Sequence, residues 1–138
     1  LKKTALILIS HGRMAEETLK SAEMIVGNID SAYAVSMDAK DGAEGLKKKI
    51  KEVMDEVKGY SNIIVMVDLI GGTPSNVATT ELFKNEKVKL ISGFNLGMVL
   101  EFATSYIDDA EELKDHLVEV GKSGIKDVFK EIAGIMKN

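Results

Sequence analysis

Two stretches of this chain, Ala5-Leu6-Ile7-Leu8-Ile9 and Ile63-Ile64-Val65-Met66-Val67, are apolar without interruption. A strand with one face in water alternates apolar and polar residues. Five apolar residues in a row instead suit a strand buried on both faces, as in a parallel sheet covered by helices. Each run ends abruptly in polar residues, Ser10-His11-Gly12 after the first and Asp68 after the second. In open α/β sheets, ligands and reactions gather at the carboxyl edge of the strands, so His11, and with it Asp68, is the first candidate for chemistry.

The rest of the chain alternates accordingly. Met14 to Val26 has apolar residues at helical spacing, Glu16 and Glu17 in its first turn, and Gly27 to close it. Ala32 to Met37 is a second short strand, and Gly42 to Val57 an amphipathic helix with its stripe at Leu46, Ile50, Val53 and Val57. After the 63–67 strand, Thr73 is the expected N-cap of a helix with Pro74 at its first position, running to about Lys84. Val88 to Ser92 is a fourth strand, followed by helices from about Leu96 to Ser105 and from Ala110 to Val120, the latter introduced by Asp108 and Asp109. The tail from Gly124 is ambiguous: Ile125, Val128, Phe129, Ile132, Ile135 and Met136 fit helical spacing, but Ile125 to Phe129 could also form an edge strand. Strands alternating with helices imply an α/β fold: a doubly wound, mainly parallel four-stranded sheet with right-handed crossovers and helices on both faces.

With 138 residues, 45% of them hydrophobic, residues 1–138 are expected to form a single domain. Cysteine is absent, which excludes disulfides and thiolate metal sites. The apolar runs are too short to span a bilayer and no leader pattern opens the chain, so a cytoplasmic location is expected. The formal charge of −4 argues against nucleic acid as a partner. The lysines at 47–51 interleave with the apolar stripe of their helix and read as its solvated face.

The second informative segment is Asp68-Leu69-Ile70-Gly71-Gly72-Thr73-Pro74-Ser75-Asn76. A strand delivers a carboxylate, turns through two glycines and enters a helix whose first N–H groups are free. Such a turn favours anions, phosphate among them, with the Thr73 hydroxyl adding a donor. If the first and third strands are neighbours, His11 and Asp68 emerge at one sheet edge beside this turn. A neutral imidazole attacks phosphorus only with a free lone pair, and a carboxylate on its other N–H selects that tautomer and stabilises the developing positive charge. Phosphoryl transfer then needs in-line alignment and donors to the equatorial oxygens, which the helix start supplies without a metal or cofactor.

The ordered segments Ile9-Ser10-His11-Gly12, Ala15-Glu16, Ala22-Glu23-Met24, Val67 to Ala78 and Ile91 to Met98, with Glu119 to Lys126, resemble the enzyme IIA domain of the mannose/fructose/sorbose sugar phosphotransferase systems. The resemblance implies that His11 accepts a phosphoryl group from HPr on Nε2 and passes it to enzyme IIB, which serves membrane enzymes IIC and IID in sugar uptake. It further implies that Asp68 orients His11 through Nδ1, and that Gly71, Gly72, Thr73 and Ser75 hold phosphoryl oxygens. A homodimer is implied as well, with an exchanged antiparallel edge strand near the C-terminus, which would make Ile125 to Phe129 strand five. Leu69-Ile70 departs from the polar-then-aromatic pair usual after the family's aspartate, and the loop from Met37 to Asp41 is unlike mannose forms. No Pro/Ala-rich extension follows Ile125 to Lys137, so a free-standing subunit is expected, associated with the membrane only through its partners.

Rival readings differ at defined positions. The phosphocarrier subunit of a dihydroxyacetone kinase tends to carry Gly-Ser plus an apolar residue where Gly71-Gly72-Thr73-Pro74 stands. A receiver module wants acids after its first strand, where this chain has Ser10-His11. A phosphate loop ending Gly121-Lys122-Ser123 fails because its required upstream glycine is His116. A non-catalytic phosphometabolite-binding domain could use the same glycine turn. His116 lies among charged residues and reads as a helix-surface residue. Asp108, Asp109, Glu111 and Glu112 need no ion, since acids suit a helix start.

Overall fold

The computed structural model describes residues 3–136. Its elements run β1 (Thr4–His11), α1 (Met14–Val26), β2 (Ala32–Met37), α2 (Gly42–Glu56), β3 (Asn62–Val67), α3 (Thr73–Leu82), β4 (Val88–Ser92), α4 (Leu96–Thr104), α5 (Ala110–Ser123) and α6 (Val128–Met136). Four strands form one sheet in the order β2-β1-β3-β4, every neighbouring pair parallel. The first and third strands are therefore adjacent and central. Their register pairs Ala5 with Ile63 and Ile9 with Val67, so both strands release their chains at the same edge.

The unbroken apolar runs have a direct structural reason. Alternate side chains of β1 enter different cores: Leu6 and Leu8 join Ile64 and Met66 under α1, α4 and α5, whereas Ala5, Ile7 and Ile9 join Ile63, Val65 and Val67 under α2 and α3. All ten are essentially sealed from solvent. At about 1.5–3 kcal/mol for each large aliphatic side chain removed from water, these central strands supply much of the folding drive.

The helix near Thr73 begins one residue earlier than expected. Gly72 is the cap, with extended backbone, because the Asn76 N–H bonds to the Gly72 carbonyl at 2.9 Å and closes the first helical turn there. Thr73 is thus the first helical residue and Pro74 the second, and the helix ends at Leu82 rather than Lys84. Asp109 caps α5 by accepting the Glu112 N–H at 2.9 Å.

The fifth edge strand expected over Ile125 to Phe129 is not seen. Residues 125–127 have no regular structure, and Val128 already lies in α6. The Asp127 carboxylate accepts the Lys130 N–H at 3.1 Å and the Asp127 carbonyl accepts the Glu131 N–H at 3.1 Å, which start a helix at the point where a strand would have to continue. The described residues of α6 are all exposed, including Val128, Phe129, Ile132 and Ile135. No described helix is long and apolar enough to cross a membrane.

Candidate active site

His11 closes β1, and the chain then turns sharply into α1 through Gly12. That turn requires a backbone φ of +54°, a region glycine enters without steric penalty. The Gly12 N–H reaches across to the Met37 carbonyl at 2.8 Å and pins the turn to β2. Asp68 follows β3 directly, and its own N–H bonds to the Ile9 carbonyl at 3.2 Å. The adjacency of β1 and β3 consequently brings together two residues 57 positions apart.

Their contact is specific. Asp68 Oδ2 accepts from the ring at Nδ1 (2.7 Å) and also from the His11 peptide N–H (3.0 Å), while Oδ1 accepts from the Leu69 N–H (3.0 Å). An ionised carboxylate can only accept, so Nδ1 carries the ring proton and Nε2 holds the free lone pair. Burial of Asp68 opposes its ionisation, but the hydrogen bonds from the His11 ring, the His11 peptide and the Leu69 peptide outweigh it and hold the carboxyl below the ordinary range. The two side chains differ sharply in access: that of Asp68 is 6% exposed and that of His11 45%. The carboxylate is thus a buried support for a ring that stands open to solvent.

The opposite edge of the ring lies against the α3 turn. A β-carbon on Gly72 would stand 2.8 Å from His11 Cε1 and 3.3 Å from Nε2, so only glycine leaves the ring its place. Gly71, at φ +90°, makes the preceding bend. Thr73 is half-buried and Ser75 buried in the first turn of α3. Neither hydrogen-bonds to His11 or Asp68; the Ser75 carbonyl accepts the Thr79 hydroxyl at 2.8 Å, and the Asn76 amide reaches the Gly71 carbonyl at 3.5 Å. Free N–H groups at this helix start favour an anion beside Nε2.

His11 lines none of the four principal clefts of about 240–670 Å³ on the described surface. The residues that follow the two strand ends include exposed apolar side chains: Met14 (47% exposed) three positions after His11, and Leu69 (51%) and Ile70 (78%) directly after Asp68. An open reactive atom with apolar neighbours suits a reactant carried on another protein better than a small molecule requiring enclosure. His116 stands apart in α5, where Nε2 pairs with Glu101 of α4 at 2.9 Å, so it joins two helices rather than lying free on the surface.

One residue of the site escaped the sequence reading. Ser10, between the apolar run and His11, is fully buried, and its Oγ accepts the Ala15 N–H at 2.7 Å. Its only sequence signal is a hydroxyl immediately before the strand-end histidine.

A carboxylate-oriented histidine at the carboxyl edge of a doubly wound parallel α/β fold, against a glycine turn and a helix start, is an arrangement suited to nucleophilic chemistry on anionic groups. Residues 5–119 match the EIIA-man family, described as the PTS system fructose IIA component, and the chain belongs to this family. It is 30% identical over 124 residues to the mannose-specific EIIAB component of the PTS of Escherichia coli K12, covering 88% of this chain but only 38% of that protein's length. It is 28% identical to the sorbose-specific EIIA component of Lacticaseibacillus casei over 83% of each chain. Among solved structures, the mannose/sorbose-specific IIA subunit from Enterococcus faecalis superposes with a TM-score of 0.84 at 41% identity, covering 91% of this chain and 94% of that one.

Proposed function

We propose that this protein is a phosphoryl carrier of a sugar phosphotransferase system, taking the phosphoryl group from phospho-HPr onto His11 Nε2 and giving it to an enzyme IIB. The observation that carries this reading is the single 2.7 Å contact from Asp68 to Nδ1, which leaves the lone pair on the accessible nitrogen. Transfer forms the Nε2–P bond as the donor's bond to phosphorus breaks, and the donor leaves with that electron pair. The imidazole becomes positively charged while Nδ1 keeps its proton, and the Asp68 carboxylate beside it stabilises this charge. The fixed N–H groups of the α3 start, with the hydroxyls of Thr73 and Ser75 and the bare backbone of Gly71 and Gly72, receive the equatorial oxygens. Reversal of the same step onto the next carrier returns the ring to its neutral form.

The partners follow from the same site. Met14, Leu69 and Ile70 offer an apolar rim around His11 on which HPr and enzyme IIB dock in turn. Sugar specificity then rests with enzyme IIB and the membrane enzymes IIC and IID, and the protein works in the cytoplasm at the membrane face of that transporter. A homodimer is part of this reading, supported by α6, whose apolar residues have no covering in one chain.

The test is reconstitution. Phosphoenolpyruvate, enzyme I and HPr should place on this protein an acid-labile, base-stable phosphoryl group that is lost in His11→Ala. Absence of label on the parent protein, or full label on the variant, overturns the proposal.

A further inference from the structure

We infer that Ser10 is a positioning residue for the His11 nucleophile, an inference that rests on the carrier reading for its kinetic part only. Ser10 is fully sealed from solvent in the last turnless stretch of β1, directly before His11. Its hydroxyl is used on both sides. Oγ accepts the Ala15 N–H at 2.7 Å and donates to the Gly12 carbonyl at 3.2 Å. The assignment is forced, because a peptide N–H can only donate and a carbonyl can only accept.

Helix α1 has a gap at the corresponding position. Arg13, at its N-cap, makes no side-chain capping bond, and its guanidinium pairs with Glu16 and Glu17 instead. Ser10 therefore supplies the cap from three residues upstream, and the loop it closes contains His11 and Gly12. The residue before the histidine holds both the carbonyl after it and the first turn of the helix that follows. Asp68 grips His11 from the other side, at the peptide N–H and the ring. His11 is thus fixed at its backbone from two directions, and the Asp68 contact can select one ring tautomer only while that backbone stays in place.

Removal of the hydroxyl leaves the buried Ala15 N–H without its partner and frees the Gly12 turn. A displacement of about 1 Å at a reacting group costs on the order of 10²-fold in rate, so a partial release predicts a loss of about tenfold or more. The hydroxyl, not the residue identity, is what matters. Ser36, the register neighbour of Ser10 on β2, is equally small, so a threonine methyl at position 10 has a small side chain beside it.

The experiment uses phosphoramidate, which needs no partner protein, with phosphohistidine followed by phosphorus NMR and the ring nitrogens by nitrogen-15 NMR. In the parent protein Nδ1 should be protonated and Nε2 free. Ser10→Ala should remain folded by circular dichroism, take up phosphoryl at least tenfold more slowly, and show mixed ring tautomers. Ser10→Thr should restore both rate and spectrum. An unchanged rate and ring spectrum in Ser10→Ala overturns the inference, as does a Ser10→Thr variant as impaired as Ser10→Ala. Should Ser10→Ala not fold, Ser10→Cys keeps the volume with weaker hydrogen bonds, and parent-level values there overturn it equally. If the parent protein takes up no phosphoryl group from phosphoramidate, the same rates are read with phospho-HPr as donor, where absence of uptake overturns the carrier reading, while the tautomer comparison still decides the role of Ser10.

Discussion

Replacing Asp68 with asparagine probes the orientation of His11 most directly. The carboxylate accepts three hydrogen bonds, two on Oδ2 from the His11 ring and peptide and one on Oδ1 from Leu69. A primary amide has one accepting oxygen. Turned toward His11, the amide sets its NH2 against the Leu69 N–H. Turned the other way, it sets its NH2 against the His11 peptide N–H, and Nδ1 must become an acceptor. The ring proton then moves to Nε2, the atom that attacks in the proposed transfer. Losing a charge-assisted hydrogen bond costs about 1.5–3 kcal/mol, and a donor left unpaired adds about 1–3 kcal/mol. If about 3 kcal/mol of this bears on the transition state, phosphorylation slows roughly 10²-fold, at about 1.4 kcal/mol per factor of ten.

Stability gives the same substitution a second reading. The Asp68 carboxyl is held below its ordinary range in the folded protein. A lowered folded value means that the stabilisation is complete above the unfolded value of about 3.9 and disappears as pH falls through the folded one. Urea unfolding should therefore show Asp68→Asn less stable than the parent at pH 7, with the gap narrowing progressively below about pH 4. Rapid-quench measurement of phosphoryl uptake from phospho-HPr supplies the rate. A variant within about threefold of the parent rate, well short of the loss estimated from the bonds, with Nε2 still unprotonated by nitrogen-15 NMR, would refute the reasoning.

Gly72→Ala should fold normally, since the Gly72 φ of −87° suits alanine, yet lower the phosphorylation rate at least tenfold by driving a methyl against the ring at 2.8 Å; an unchanged rate would remove the steric argument. Ile70→Asp changes an exposed side chain, so its stability should stay within about 0.5 kcal/mol by urea titration. The same variant should raise KM for phospho-HPr and leave the phosphoramidate rate alone, and equal effects on both donors would contradict docking at that rim. Phe129→Asp, on the exposed α6, should shift the proposed homodimer toward monomer in sedimentation velocity without altering phosphoramidate uptake. Leu8→Ala, at a position with no solvent exposure, should cost about 2–5 kcal/mol in urea unfolding.

The sequence alone determined the local periodicities. Uninterrupted apolar runs in β1 and β3, helical stripes such as Leu46-Ile50-Val53 and a histidine and an aspartate closing the two central strands are all legible because each depends on neighbours a few residues away. Element bounds differ by one to three residues where an end is a contest between nearby groups, as between Thr73 and Gly72 for the α3 cap. The tail shows the same limit: strand and helix patterns overlapped there, and the Asp127 cap decided it. Tertiary structure decided what depends on strand order. That β1 and β3 are neighbours, and that Oδ2 of Asp68 lies 2.7 Å from Nδ1 of His11, follows from the β2-β1-β3-β4 arrangement, a non-local outcome of packing helices on both faces. The same arrangement bent the chain after Ser10 so that its hydroxyl faces Ala15 and Gly12, left Leu69 and Ile70 at the surface, and set Gly72 against the histidine ring. Periodicity reports which way a side chain points within its own element; only the assembled sheet determines which other side chain it meets.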